Sequence, residues 1–375
     1  MQPPQAVPLM SREGSEVRTT SSSPSAAARA AEGADSAHRS GSSASAASAE
    51  WGFPNRATPA GSSAYYAVRM SKAPQRDVLA ALFALRAELQ AIPDQVSDPG
   101  IARIKLDWWR GEVDRLFAGE PRHPLSELLA PVVTEQALPR SPFNELIEAV
   151  ERILRADRHP SLQAQRQSDE QDLGALFELI ARCEGTHAEA QGQLTTVRRA
   201  GGWCAQVRRI RDAGLLLRRG REVLPSDQLA AAGLSHEQLA SADGRQRLPE
   251  LLRPIAESLR LTAPDQAEAG AEVGAEAGAD AESEAEPAIA AGHGQSQSVR
   301  GAASPTLSQL VGASVAPKMG PTLTGLTPAI RVQLRLHQAL LNVLECSGFD
   351  VVDQRIGLTP LRKFWLAWRA RGLSG

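Results

Sequence analysis

The chain has 375 residues, a formal net charge of −2 and 42% hydrophobic residues. A charge so near zero gives no global field toward nucleic acid, so no nucleic-acid partner is expected. No apolar run approaches the roughly 20 residues of a membrane span, and the N-terminal segment lacks the apolar core of a secretory signal.

Residues 1–60 are rich in Ser, Ala, Gly and Pro, with Trp51 and Phe53 as the only aromatics, and are predicted to be a disordered tail. Apolar positions then recur mostly at helical spacing. Val78, Leu79, Leu82, Phe83, Leu89 and Ile92 predict one helix, with Pro93 near its end or at a kink. Ser97, Asp98 and Pro99 cap and open a second, lined by Ile101, Ile104, Trp108, Val113, Leu116 and Phe117 and closed by Gly119 and Pro121. Trp108 and Trp109 are adjacent and cannot share a face, so one is expected in the core and the other on a cavity or the surface. Phe143, Leu146, Ile147, Val150, Ile153 and Leu154 form the cleanest amphipathic stripe. Two more helices are expected over 173–191 and 197–217.

An Ala/Glu/Gly-rich insert follows at 264–305 and is predicted to be disordered. Its excision should leave the midpoint of a thermal melt nearly unchanged; loss of folding would show that it packs. Ile330, Leu334, His337, Leu340, Leu341 and Leu344 line the next helix. Leu361, Phe364, Trp365 and Trp368, flanked by Arg362, Lys363, Arg369 and Arg371, line the last. That final pattern suits either peripheral membrane contact through 361–368 or a terminal helix docked on the core. Apart from an ambiguous YYAVRM at 65–70, no period-2 strand is convincing, and an all-α bundle follows. The helical domain is expected over 61–370, interrupted by the insert. Cys183, Cys204 and Cys346 lack C-x-x-C spacing, which predicts buried thiols in a reducing compartment and hence a cytoplasmic protein. Cys183 and His187 stand i,i+4, but without further ligands the pair reads as packing rather than zinc binding.

Several segments together carry a resemblance. Residues 61–66 (GSSAYY), 96–110 (VSDPGIARIKLDWWR), 206–212 (QVRRIRD), 218–225 (RRGREVLP) and 354–363 (QRIGLTPLRK) occur in an order and spacing that resemble the squalene/phytoene synthase family. The likeness is to its bacterial presqualene-diphosphate-synthase-like branch and covers roughly 61–230 and 328–370. It implies the isoprenoid synthase helical bundle, with two D-x-x-x-D helices facing each other across an elongated apolar cavity. An i,i+4 pair places two carboxylates on one helix face, and two such helices hold the Mg²⁺ that stabilises a departing diphosphate. The resemblance implies substrate binding by Tyr65, Tyr66, Arg208, Arg209, Arg211, Arg218 and Arg219, and metal binding by Asp94 and Asp212.

The departures fall on the metal ligands. Gln90 and Ala91 replace carboxylates of the first motif, and Leu215 and Leu216 replace acids of the second. Arg209 stands where active members carry Asn, and Val223 where they carry Tyr. A three-metal cage is not expected; a single hydrated Mg²⁺ between Asp94 and Asp212 is the remaining cofactor expectation. On the residues alone, those two acids are either that ligand pair or ordinary ion-paired groups. The arginines at 208–221 are either a solvated basic face or a phosphate clamp. Glu88 and Glu151 are the candidate replacement carboxylates. Two functional readings follow. One is a non-catalytic lipid-binding or assembly protein that takes a prenyl diphosphate or another isoprenoid lipid. The other is an active head-to-head prenyltransferase making presqualene diphosphate, squalene or phytoene. The lost carboxylates favour the first.

Overall fold

Local signals set the helix limits. Asp98 caps the helix Pro99–Ala118, its carboxylate accepting from the Gly100 amide, and Gly119 ends it at φ 80°. The computed structural model describes residues 50–186, 190–263 and 326–371, all within the unit Ala44–Gly375. The chain runs through α1 (Ser63–Met70), α2 (Arg76–Gln95), α3 (Pro99–Ala118), α4 (Pro124–Glu135), α5 (Ser141–Leu154) and α6 (Leu162–Asp169). A π-helical turn, Glu170–Gly174, joins α6 to α7 (Ala175–Cys183). Then come α8 (Gln191–Arg211), α9 (Ala213–Arg218), α10 (Ser226–Ala231), α11 (His236–Ala240), α12 (Ala242–Gln246) and α13 (Leu248–Leu261). The last two are α14 (Pro328–Cys346) and α15 (Pro360–Arg371). No strand occurs among the described residues, and 65–70 lies in α1.

The core sits where α2, α5, α7, α8 and α14 converge. The α5 stripe is buried over its first three turns, where Phe143, Leu146, Ile147 and Val150 are at most 1% exposed, while Ile153 and Leu154 at its end are half-buried. Each such side chain contributes about 1.5–3 kcal/mol by leaving water. Helix α8 lies unusually close to the π turn, because a Cβ on Gly201 would stand 2.5 Å from the Gly174 Cα. That approach fixes the polar residues of the π turn against α8 and α2.

Three expectations need correction. The tail does not extend to residue 60. Trp51 is buried, and the Asn55 amide donates to the carbonyls of Trp51 and Ala80 at 2.7 and 3.0 Å. A buried indole and a satisfied amide offset the ordering of a segment whose composition reads as loop. Second, the helices expected over 173–191 and 197–217 end at Cys183 and break at Asp212. Gly185, at φ 106°, follows the first, and Asp212 caps the second with φ −95° and ψ 9°. Third, Cys346 is exposed at the end of α14, whereas Cys183 and Cys204 are buried, their thiols pushed up to about 12 by burial. Residues 1–49, His187 and the insert 264–305 lie outside the described residues.

Candidate functional site

Helix α2 presents Arg86, Gln90 and Asp94 at i,i+4,i+8, one face over two turns. The upper part of that face meets the π turn. Arg86 grips Asp172 through two hydrogen bonds of 2.9 and 2.6 Å, and the Gln90 amide reaches the same carboxylate at 3.4 Å. A lost carboxylate position thus serves as a donor to a different acid. Asp94, in the last turn, accepts from Arg219 at 2.8 Å and Arg221 at 2.5 Å.

The second motif sits at the junction of α8 and α9. Asp212 accepts from Arg211 at 2.9 and 2.5 Å and from Arg355 at 2.7 Å. Burial alone would raise its pKa; the Arg211 and Arg355 guanidiniums more than offset this and hold it below the usual value. Arg355 comes within reach because the 351–355 segment crosses α9 at Gly214, where a Cβ would stand 2.1 Å from the Val352 carbonyl. Arg218 clips the same segment, donating to Val352 O at 2.5 Å. Leu216 is half-buried and packs on the core.

A third polar group lies deeper. Arg208 donates to His337 Nε2 at 2.9 Å and toward Gln333 Oε1 at 3.4 Å. His337 and Gln333 are both neutral, for burial, then Arg208, keep His337 far below its ordinary pKa. Burial, Arg86 and Arg211 in turn bring Arg208 down to about 10. Lys363 is lowered by burial and by Arg211 and Arg355, and its ammonium donates to Gly61 O at 2.9 Å. Arg208, Arg211, Arg355 and Lys363 therefore crowd one region in which Asp212 is the nearby acid. Arg209 turns elsewhere and pairs with buried Asp169.

The expected site residues thus separate into groups. Asp94 with Arg219, and Asp212 with Arg211 and Arg208, lie on the two motif segments, yet the two acids bind disjoint arginine pairs. Tyr65 and Tyr66 belong to the seam between α1 and α15. Tyr65 stacks on Phe53 at 5.1 Å, and the Tyr66 hydroxyl donates to Pro360 O at 2.9 Å. Neither replacement acid joins Asp94: Glu88 pairs with Arg56 and Glu151 with Arg110. Sequence reasoning missed Arg86, Asp169, Asp172, Gln333 and His337 as polar-site residues. No local signal marked Asp169 and Asp172, because the run LQAQRQSDEQD at 162–172 is mostly polar and its acids read as part of a solvated face. Arg355 was within a recognised motif but carried no expected role, and Arg221, one of the arginines expected as a basic face or phosphate clamp, pairs with Asp94.

These donors do not fit a magnesium cage. Each surviving aspartate already faces two guanidiniums, and among the described residues no cluster of three or more His, Cys, Asp or Glu side chains could hold a metal ion. Mg²⁺ needs near-octahedral oxygen ligation, and leucines and arginines supply none.

The architecture defines the class. The chain superposes on a dehydrosqualene synthase solved in complex with a ligand with a TM-score of 0.58, covering 83% of this chain and 91% of that one at 12% identity. This is the isoprenoid synthase helical fold. In sequence, residues 57–293 match the squalene/phytoene synthase family. The chloroplastic phytoene synthase of Cucumis melo is 27% identical over 214 residues, 55% of this chain and 50% of that protein. Phytoene synthase 1 of Arabidopsis thaliana is 26% identical over 197 residues, 51% of this chain and 46% of its own length. The chain spans about half the length of the curated relatives it matches. It belongs to the squalene/phytoene synthase family.

Proposed function

We propose that this protein is a non-catalytic family member that binds a prenyl diphosphate or another isoprenoid lipid through arginine in place of magnesium. The observation that carries this reading is the pairing of both remaining motif aspartates with two guanidiniums each. Ionising an allylic diphosphate requires strong stabilisation of the leaving group. Here the metal ligands are missing, while guanidinium forks suited to phosphate are abundant. Arg208 is the central anion-binding candidate, since its charge is buried beside neutral partners and near other cations.

Access from a membrane surface accords with α15. Leu361, Phe364, Trp365 and Trp368 are exposed there, and Arg369 lies over the Trp365 ring at 4.7 Å. Among the described residues no helix is long and apolar enough to cross a membrane. Such a helix would lie in the interface, with its rings in the headgroup region and its cations toward lipid phosphates.

The alternative, an active head-to-head prenyltransferase, is favoured by one observation: the sequence relatives bear the name phytoene synthase. One assay separates the two. Purified protein is incubated with farnesyl or geranylgeranyl diphosphate, with Mg²⁺ or with EDTA, and both binding and products are measured. We expect saturable binding that survives EDTA, no presqualene diphosphate, squalene or phytoene, and at least a roughly tenfold loss of affinity in Arg208→Met, as for loss of a charge-assisted phosphate contact. Mg²⁺-dependent turnover that Asp212→Ala abolishes would establish the enzyme instead.

A further inference from the structure

Helix α2 has a second polar face. Glu88 and Gln95 project roughly opposite Gln90 and Asp94 at 100° per residue, and they border a cleft of about 240 Å³. Its other wall is Trp108 and Trp109 of α3 with His123, and Lys105 stands at its edge. Nothing in the arginine-rich site uses these groups.

The aromatic wall is closely assembled. The two indoles meet edge to face, centroids 5.2 Å apart at 83°, and the His123 ring lies 5.9 Å from Trp108 and 5.0 Å from Trp109. His123 Nδ1 accepts from the Leu125 amide at 3.1 Å, which leaves the proton on Nε2. Burial holds its pKa below the ordinary value, so the ring adds no positive charge to the wall. Trp108 remains 46% exposed, although Trp109 is buried. At the rim the protein already shows what this chemistry attracts: the Arg56 guanidinium lies 4.5 Å over Trp51 while pairing with Glu88 at 2.5 Å.

Charge and shape restrict the ligand. A flat ring would want two parallel walls, and the indoles are nearly perpendicular. A bare cation meets Lys105, and a bare anion meets Glu88. The volume is below the 300 Å³ or so at which pockets begin to enclose drug-sized molecules, so a prenyl or acyl chain does not fit beside a headgroup. Rings that face a carboxylate across a cleft favour a quaternary ammonium by cation–π attraction. We propose that this cleft binds a zwitterionic headgroup of phosphocholine type, its trimethylammonium against Trp108, Trp109 and Glu88 and its phosphate on Lys105. Ile101 and Ile104, 50% and 68% exposed, share the α3 face of Lys105 and Trp108. They would meet lipid chains beside the headgroup, which favours a phospholipid as the source.

Calorimetric titration of the full-length protein with phosphocholine tests this. Saturable binding is expected, weakened about tenfold in Trp108→Ala and in Glu88→Gln, between the values for an exposed and a desolvated cation–π contact. Lys105→Ala should weaken phosphocholine but not choline. The neutral isostere 3,3-dimethylbutyl phosphate should bind about tenfold less tightly. Trp108 is half exposed, so its variant should keep the wild-type melting midpoint, and Glu88→Gln supplies a second variant. Phosphatidylcholine vesicles that bind the protein and are displaced by free phosphocholine identify the lipid as the source. Binding of free phosphocholine without vesicle binding supports the site with a soluble ligand. No saturable binding, equal affinity for the isostere, or indifference to both Trp108→Ala and Glu88→Gln overturns the proposal. None of these outcomes bears on prenyl diphosphate binding, which is read at Arg208.

Discussion

Replacing Glu112 by Ala is expected to lower the unfolding free energy by about 3–5 kcal/mol at pH 7, as for breaking a buried ion pair. The residue is fully buried, and both carboxylate oxygens are engaged. One accepts from the backbone amides of Arg122 and His123, both at 2.8 Å; the other accepts from Arg115 Nε and Nη2 at 2.9 and 2.7 Å. Removal leaves the two amides without this acceptor and Arg115 without its acid, and each buried unsatisfied group is costly. Burial pushes the Glu112 pKa up, but the His123 and Arg122 amides, Arg115 and Ser126 together bring it below 4.5. A depressed carboxylate stabilises the folded state above its unfolded pKa and loses that contribution as pH falls through the folded value. The deficit of the variant should therefore be full at pH 7 and shrink below about pH 4 in urea unfolding, given an ordinary glutamate pKa near 4.3 in the unfolded chain. A deficit independent of pH would assign the loss to packing alone. Because Glu112 also holds the His123 backbone, phosphocholine binding should fall in the same variant.

Glu112 also shows why some features could be read from the sequence and others could not. The ends of α3 were legible because Asp98, Pro99 and Gly119 act on their own immediate neighbours. The α5 stripe was legible because burial on one face imposes a period on the residues themselves. The different fates of Trp108 and Trp109 followed from adjacency on a helix. Partnerships across long separations leave no local mark. Asp172 meets Arg86 from 86 positions away, and Arg208 meets His337 from 129. The resemblance located the arginines of 208–221, but their targets depend on where Gly201 and Gly214 let segments approach. Trp51 was missed because a Ser/Ala run precedes it and Gly52, Pro54 and Asn55 follow it, a composition that reads as loop, and a single buried ring has no periodicity.

Restoring Asn at position 209, the residue that the family resemblance places there, is expected to destabilise the protein by about 3–5 kcal/mol near pH 8. Asp169 explains the sign. Its carboxyl is buried, one oxygen pairs with Arg209, and the other has no hydrogen-bond partner. Burial raises its pKa to about 6 despite the attraction of Arg209, and the Asp172 charge adds to the rise. Between 3.8 and about 6 the folded protein therefore holds a proton that the unfolded chain releases. Stability from this group is present at low pH and falls as pH rises through that window, by roughly 3 kcal/mol in total. Without Arg209 the folded pKa moves higher still, and the loss extends into the neutral range. The gap between Arg209→Asn and wild type should thus be small at pH 4 and widen toward pH 8. Asp169→Asn removes the titrating group, so the double variant should recover most of the stability lost in Arg209→Asn, with a coupling of about 2–3 kcal/mol. Urea unfolding of the four proteins at pH 4, 6 and 8 measures this cycle. Strict additivity would mean that Arg209 is not the counterion of Asp169. The expected coupling would make Arg209 a structural part of the polar interior, so that rebuilding a magnesium site would require changing Asp169 and Arg209 together with Gln90 and Leu216.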